Sequence, residues 1–345
     1  GALREDLRIL VMSATLAGEP VARLMGDAAV IACSGRSFPV ETRYATKATG
    51  PWGQGRQITG PVANAVMEAV ASEEGSILVF LPGAGEIRRV TARLDERLAG
   101  TGITVAPLYG NLPPAEQDRA IRPAPQGRRK VVLATAIAET SLTIEGIRVV
   151  VDSGWMRVPR FSPATGMSRL ETVRVSKASA DQRRGRAGRL APGVCCRLWH
   201  EAEHQGLMDQ SSPEILAADL APLALELAVW GVADPGGMAW LDPPPEAAFH
   251  AARELLVQLG ALDQGRRVTA HGKAMASLGL HPRLGHMLLS ARGMGRLRLA
   301  CQLAAILEER EILHFPPGAG DADIRLRVEA VREGWAFRAA GASVN

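Results

Sequence analysis

The chain has 345 residues, of which 47% are hydrophobic, and a formal net charge of +4 at pH 7. This length accommodates two or three domains, and the apolar content is sufficient for sizeable cores. Its four cysteines lack C-x-x-C spacing, so we predict no disulfide framework, no metal site and a reducing cytoplasm. No apolar run reaches the roughly 18 residues that span a bilayer, and no signal pattern opens the chain, so we expect no membrane partner.

The amino-terminal segment has the pattern of a strand followed by a helix. The apolar run Leu7–Met12 predicts a strand that places Ser13-Ala14-Thr15 at its carboxyl end, where ligands collect in open α/β sheets. A helix is predicted over Glu19–Met25. We assign residues 1–34 to the carboxyl-terminal remnant of a domain and residues 35–60, which are rich in Gly, Thr, Gln and Pro, to a linker.

Residues 61–202 alternate between strand and helix patterns, which is typical of an α/β domain with a parallel sheet. Gly83 follows the first strand and opens a helix whose amino terminus offers backbone amides to a phosphate, although glycine there is equally explained by an ordinary tight turn. A Pro- and Gly-containing turn between two β-prone arms predicts a hairpin over Asp152–Val175. The predicted strands are Ser76–Leu81, Ile103–Pro107, Lys130–Ala134, Ile147–Val151 and Gly193–Trp199.

Two stretches of this domain carry chemistry. The loop 135–146 places hydroxyls and carboxylates between two buried strands, a content that a core would not choose and that favours function. The stretch Arg183–Arg189 packs four arginines and two glycines into seven positions. Arginine is permanently cationic, and its planar fork matches phosphate oxygens. The alternative interpretation is a solvated basic helix face, which most arginine runs are.

Gln182–Arg189, Q-R-R-G-R-A-G-R, resembles motif VI of superfamily 2 helicases, and the preceding Ser176–Ala180 narrows the resemblance to the DEAH-box branch. Ser13-Ala14-Thr15 is similar to motif III of these enzymes, residues 77–87 to motif IV and residues 135–146 to motif V. The chain therefore resembles bacterial DEAH-box ATP-dependent helicases of the HrpB type. A hairpin at the place of the predicted one lies, in that family, beside the strands being separated.

The resemblance implies that ATP and Mg are bound between two RecA-like domains. It assigns a catalytic role, with arginine fingers on the γ-phosphate and a glutamine that orders water, to Gln182, Arg186 and Arg189. It assigns the nucleotide side of the site to Thr143, Glu145 and Gly185. It assigns nucleic-acid contacts to Gly83, Thr135, Arg157 and Arg160. It assigns coupling between the two sites to Ser13 and Thr15.

The family's P-loop and D-E-A-H motifs do not occur in the sequence. We expect them upstream, in a first RecA-like domain that is a partner of this chain and binds most of the ATP and Mg. By itself, the chain is therefore predicted to hydrolyse no ATP, because those motifs hold the phosphates and the metal.

The carboxyl-terminal part is predicted to be all-α. By resemblance, residues 203–278 are a winged-helix-like domain, and residues 279–345 begin the helical ratchet bundle. His281 opens a predicted helix and is read as a cap or packing residue. The predicted fold is thus α/β, with a RecA-like parallel sheet domain followed by winged-helix-like and helical-bundle segments.

Three functions remain compatible with the sequence. The first is the carboxyl-side half of an ATP-dependent helicase that acts on RNA. The second is a non-catalytic nucleic-acid-binding module, which needs positive charge but not the G-R-x-G-R spacing. The third is a DNA helicase, which shares all the motifs, because no residue is recognisable as a sensor of the 2′-hydroxyl.

Overall fold

The computed structural model describes residues 7–13, 18–33, 38–46, 58–140, 142–232, 234–309, 311–315, 320–334 and 343–344. It consists of two compact units, the sheet unit Gly1–Ala217 and the helical unit Ala218–Asn345. The sequence predicted the end of the α/β domain at residue 202. The structure instead places the helix Glu201–Gln205 and the 3-10 turn Glu214–Leu216 in the sheet unit.

The described part of the sheet unit alternates strands with helices. Its strands are β1 (Val40–Tyr44), β2 (Ser76–Phe80), β3 (Thr104–Leu108), β4 (Lys130–Ala134), β5 (Ile147–Asp152), β6 (Trp155–Ser162), β7 (Met167–Arg174) and β8 (Gly193–Arg197). Its helices are α1 (Gly18–Leu24), α2 (Thr59–Ser72), α3 (Ala84–Arg97), α4 (Pro114–Ile121), α5 (Ile137–Thr140), α6 (Lys177–Gly185) and α7 (Glu201–Gln205). Six of these strands form one parallel sheet in the order β1-β8-β5-β2-β4-β3, which confirms the predicted fold class.

Side chains of β2 alternate between two hydrophobic cores, one on each face of the sheet. Ile77 and Val79 pack with residues of α2 and α3, whereas Leu78 and Phe80 pack on the opposite face with Ala120 of α4. A strand that is buried on both faces is typical of a parallel sheet whose connections are helices. The edge formed by the carboxyl ends of the strands is then the place where ligands can bind.

Strands β6 and β7 form the predicted hairpin. They pair antiparallel, with Trp155 opposite Arg174 at the root and Ser162 opposite Met167 at the tip. The guanidinium of Arg174 lies 5.0 Å from the ring centroid of Trp155 and 5.6 Å from that of the buried Trp199. These cation–π contacts attach the root to the sheet unit, whereas Met167 at the tip is exposed.

The amino-terminal prediction is confirmed for the helix and wrong for the strand. Helix α1 spans Gly18–Leu24, one residue from the predicted bounds. Residues 7–13 form no strand, and Leu10 and Met12 are 78% and 82% exposed. A strand needs a neighbour to pair its backbone groups, and the described part of the chain provides none beside these residues.

The predicted linker, residues 35–60, contains strand β1. Its side chains alternate between half-buried and exposed, and Val40 pairs with Gly193 of β8. Arg43 donates hydrogen bonds to Glu41 (2.7 Å) and Glu73 (2.6 Å), which fixes the outer face of the strand. Composition predicted a linker because Gly, Thr and Pro surround this segment, whereas its own alternating pattern is that of an edge strand.

The described part of the helical unit contains helices α8 (Ala221–Val229), α9 (Glu246–Gln258), α10 (Ala270–Ala276), α11 (Pro282–Gly293), α12 (Leu297–Glu308) and α13 (Ile324–Glu333). It also contains a short antiparallel pair, β9 (Leu313–His314) with β10 (Ser343–Val344). Helix α8 begins at Ala221, whose backbone N donates a hydrogen bond to the side chain of Asp219 (2.9 Å). None of the described helices has the length and apolar content that a membrane span requires. The winged-helix and ratchet assignments stay predictions.

His281 caps helix α11, as predicted. Its Nδ1 accepts a hydrogen bond from Arg283 N (3.2 Å), and its Nε2 lies 3.0 Å from Asp219 Oδ2. Burial works to raise the pKa of Asp219, but the hydrogen bonds from His281 and Ala221 outweigh it and hold the pKa below its ordinary value. The pair joins the start of α8 to the start of α11.

Replacing Asp219 by asparagine should destabilise the protein by about 1–2 kcal/mol near pH 6, because a charged hydrogen bond becomes a neutral one. Since the folded-state pKa of Asp219 is depressed, its carboxylate contributes stability above the unfolded pKa, and this is lost as the pH falls through the folded value. The difference in unfolding free energy between wild type and variant, measured in urea, should therefore shrink below about pH 4. A difference that is absent at pH 6 would contradict this.

Candidate nucleotide and nucleic-acid site

The polar loop 135–146 and helix α6 meet at the carboxyl ends of the central strands. Thr135 follows β4 directly, and its backbone amide donates a hydrogen bond to Leu108 O at the end of β3 (3.2 Å). Helix α6 starts after Ser176, whose hydroxyl accepts a hydrogen bond from Ser179 N (3.1 Å) as an N-cap. The two stretches that the sequence singled out are therefore neighbours in space.

Arg183 of α6 is buried and ion-paired to both the loop and strand β5, so we call it the buried brace. Its guanidinium is 2.5 Å from Glu139 of the loop and 2.9 Å from Asp152 at the end of β5, and it lies 4.9 Å from the ring centroid of Phe80. Burial acts to lower the pKa of Arg183, but the charges of Asp152 and Glu139 raise it above its ordinary value. This arginine is thus committed to the protein interior and is not available to a ligand.

Arg186 lies one turn further along and is also mostly buried, but its partners are neutral. It donates hydrogen bonds to the backbone carbonyls of Leu142 (2.7 Å) and Glu139. Burial and the charge of Arg189 lower the pKa of Arg186 to about 10, while the carboxylate of Glu139 opposes them. Arg186 therefore stays charged at neutral pH, and within the described part of the chain its guanidinium donates to backbone carbonyls and not to a carboxylate.

Arg189 joins the end of the arginine stretch to the loop. Its Nη1 donates a 2.6 Å hydrogen bond to Thr143 Oγ1, and both residues are exposed. The structure thus brings together two residues that the sequence assigned separately, one to catalysis and one to nucleotide binding. Glu145 is exposed in the same turn but does not line the cavity along α6.

A cavity of about 730 Å³ runs along one face of α6 and beyond its end. Five residues predicted from the sequence line it: Ser13, Gln182, Gly185, Arg186 and Arg189. Ala178, Asp181, Gln182, Gly185, Arg186 and Arg189 recur at helical spacing, which explains why one face of the stretch presents them together. Thr15 lies outside the described residues.

Sequence reasoning assigned no role to three polar residues of this cavity, Glu139, Asp181 and Gln210. Asp181 is 2.8 Å from the buried Arg197 of β8. The segment before Gln210 is held against α6, because the amides of Lys177 and Ala178 donate to the carbonyls of Met208 (2.8 Å) and Asp209 (3.0 Å). Only the tertiary structure places Gln210 there, so no local pattern could have indicated it.

Among the predicted nucleic-acid residues, Gly83 and Arg157 lie together. Gly83 is the N-cap of α3, with an extended backbone (φ −169°), so no unusual backbone conformation requires glycine there. A Cβ on Gly83 would come within 2.2 Å of Arg157 Nη1. A side chain at position 83 would therefore displace the guanidinium of Arg157 from its present place. Arg160, by contrast, lies nearer the hairpin tip and pairs with Glu171 (3.1 Å) on the surface.

The cavity presents groups that suit the phosphate end of a nucleotide. Arg186 and Arg189 supply positive charge, and Gln182 and Ser13 supply polar groups. Within the described ranges, no group of three or more His, Cys, Asp or Glu residues could hold a metal ion.

Comparison with known proteins agrees with this geometry. Residues 62–191 match the family described as Helicase conserved C-terminal domain. Over 336 residues, or 97% of this chain, the sequence is 48% identical to the ATP-dependent RNA helicase HrpB of Escherichia coli (strain K12). The chain spans 40% of the length of that relative.

Two solved structures of the Escherichia coli protein, described as the DExH-box NTPase HrpB and the DEAH/RHA helicase HrpB, resemble this chain. The first has a TM-score of 0.81 over 94% of this chain and 39% of its own length. The second has a TM-score of 0.85 over 95% of this chain and 40% of its own length, and both are 48% identical. The parallel sheet is accordingly the RecA-like fold of a helicase domain.

Proposed function

Because this chain belongs to the HrpB type of bacterial DEAH-box helicases, we propose that it is the carboxyl-side motor half of an ATP-dependent RNA helicase. One observation supports this above the others: Gln182, Arg186 and Arg189 line a single cavity, and Arg189 is hydrogen-bonded to Thr143. In this proposal Arg186 and Arg189 stabilise the charge that develops on the γ-phosphate, and Gln182 orders the attacking water.

The remaining predicted residues surround this centre in the proposal. Thr143, Glu145 and Gly185 face the nucleotide, and Ser13 with Thr15 couples the nucleotide to the nucleic acid. Thr135, Arg160 and the amides after Gly83 contact nucleic-acid phosphates, which position a strand without reading its sequence. RNA is proposed as the substrate because the relative is an RNA helicase, and DNA is the alternative that the experiment below tests.

A first RecA-like domain is proposed as the partner of this chain. That domain would hold ATP and Mg²⁺, which together supply the phosphoryl group and its charge compensation. Residues 203–278 are proposed as a winged-helix-like domain, residues 279–345 as the start of a ratchet bundle, and the cytoplasm as the compartment. ATP hydrolysis would drive translocation when the two RecA-like domains close on the nucleotide.

The test compares this chain alone with a protein that joins it to its first RecA-like domain. The longer protein is expected to hydrolyse ATP and to bind single-stranded RNA with an affinity that falls steeply with salt, and the chain alone is expected to hydrolyse none. Stronger binding and unwinding of DNA than of RNA would favour the DNA helicase. RNA binding without ATP turnover by the longer protein would favour the non-catalytic module. ATP turnover by the chain alone would contradict the proposed division of the site.

A further inference from the structure

A buried carboxylate on helix α3 forms an ion pair with an arginine of the hairpin. Glu86 lies in the first turn of α3 and is only 4% exposed. Arg157 Nη2 is 3.2 Å from both Glu86 Oε1 and Glu86 Oε2, and Arg89 Nη2 is 2.8 Å from Oε1. Arg89 is itself 55% exposed, so Arg157 is the more buried of the two partners.

The backbone around Glu86 accommodates this arginine. The guanidinium of Arg157 occupies the space that a side chain at Gly83 would fill, with Nη1 2.2 Å from the ideal Cβ position. Because Gly83 has an extended φ of −169°, any residue could adopt its backbone conformation. A side chain at this position would therefore displace the guanidinium of Arg157, whereas the turn itself does not require glycine.

The position of Arg157 along the hairpin shows which part of the hairpin its contact with Glu86 attaches. Arg157 is the third residue of β6, opposite Thr172, and five residues before the end of the strand at Ser162. At about 3.4 Å per residue, the exposed tip lies roughly 17 Å beyond this contact. Together with the contacts of Arg174 on Trp155 and Trp199, it attaches the root of the hairpin at two places.

We propose that Glu86 and Arg157 are positioning residues that latch the hairpin onto helix α3, so that its tip moves with the sheet unit as one body. Withdrawing Arg157 toward a phosphate would leave a buried carboxylate with only one exposed arginine, which is costly. Only the consequence of the latch rests on the proposed function. That consequence is that a hairpin beside the separating strands must be held rigidly to convert domain motion into strand separation. Arg157 thereby acts through the hairpin and not as a nucleic-acid contact.

The latch itself is tested by hydrogen exchange of the hairpin amides, which does not depend on helicase activity. Glu86→Gln, Arg157→Gln and Gly83→Ala should each speed exchange in residues 155–174 by about fivefold or more, because each releases the same contact. The double variant Glu86→Gln/Arg157→Gln should exchange no faster than either single variant. Gly85→Ala is the matched control, since its Cβ would meet only Arg89 at an ordinary 3.6 Å and exchange should not change. Unchanged exchange in all three latch variants, or fully additive effects, would overturn the latch.

The role in unwinding is tested in the protein that also carries the first RecA-like domain. A latch predicts that Glu86→Gln and Arg157→Gln both lower RNA unwinding per ATP by about tenfold, with RNA affinity and its salt dependence unchanged, because a displaced element misplaces the contacts it makes. A phosphate contact by Arg157 predicts opposite signs instead: Arg157→Gln weakens RNA binding and lowers the salt slope by about one, while Glu86→Gln strengthens binding. Opposite signs would overturn the proposal. Failure of wild type itself to unwind RNA would refute the proposed function while leaving the exchange result intact.

Discussion

Replacing Arg186 by alanine, in the protein that joins this chain to its first RecA-like domain, should lower the rate of ATP hydrolysis by about three to five orders of magnitude. The reason is that Arg186 lines the cavity and, among the described residues, is held by backbone carbonyls and not by a carboxylate, so we expect its charge to act on the γ-phosphate. Hydrolysis should be measured as steady-state phosphate release with saturating RNA. Because a positioned cation acts mainly in the transition state, we expect kcat to fall much more than the affinity for ATP.

Arg184→Ala is the matched control for this experiment. Arg184 lies in α6, two residues before Arg186, and its side chain is 43% exposed. It pairs with Asp181 at 3.6 Å and does not line the cavity. We expect its loss to leave the hydrolysis rate within about threefold of wild type, as for most exposed ion pairs. Equal losses from the two substitutions would indicate a general effect of positive charge and would contradict the assignment of Arg186.

Replacing Arg183 by methionine should destabilise the chain by about 3–5 kcal/mol, because it removes the cation of two buried ion pairs and leaves the carboxylates of Glu139 and Asp152 uncompensated. Asp152 is fully buried and Glu139 nearly so, and Arg183 is the cation that lies between them. The free energy of unfolding should be measured by urea denaturation with a probe in the sheet unit, such as the fluorescence of the buried Trp199.

Two further variants define what this result means. Arg184→Met makes the same change in charge and size at an exposed position and should change the unfolding free energy by less than about 0.5 kcal/mol. Arg183→Asp would add a third buried acid and should prevent folding of the sheet unit. If Arg183→Met were as stable as wild type while Arg183→Asp failed to fold, the ion pair would be neutral in energy and the brace would serve only to specify the arrangement.

Arg183 and Arg186 illustrate how far the sequence could predict the site. The spacing of the stretch indicated that several arginines share a function, and the cavity does gather Gln182, Arg186 and Arg189. The spacing alone could not distinguish Arg183, the buried brace, from the residues that face the cavity. That distinction depends on Glu139 and Asp152, which approach from a loop and a strand far away in the chain. Residue types predict a chemistry, whereas the partner of each residue is set by tertiary structure.

Strands with continuous hydrophobic runs could be predicted from the sequence. Strands whose formation depends on a partner far away in the chain could not. Strands such as β4, buried on both faces, were predicted with their observed bounds. The strand predicted over Leu7–Met12 does not form because no neighbour pairs with it, and β1 was missed because its partner lies far along the chain. Gly83 was interpreted as a phosphate-binding helix terminus or an ordinary tight turn, since nothing local indicates that an arginine from the hairpin occupies its side-chain space. In each case the deciding contact is not local.

Strand β1 also has a consequence for how the chain reaches its native state. Val40 pairs with Gly193, and Tyr44 accepts a hydrogen bond from Arg197, 153 residues further along. During synthesis β1 leaves the ribosome early and must wait until nearly the whole sheet unit has been made before β8 can pair with it. Closing so long a loop is slow, and an unpaired edge is exposed to other chains meanwhile. The interval before β8 is made is therefore the one in which the nascent sheet unit exposes unpaired strand edges to other chains.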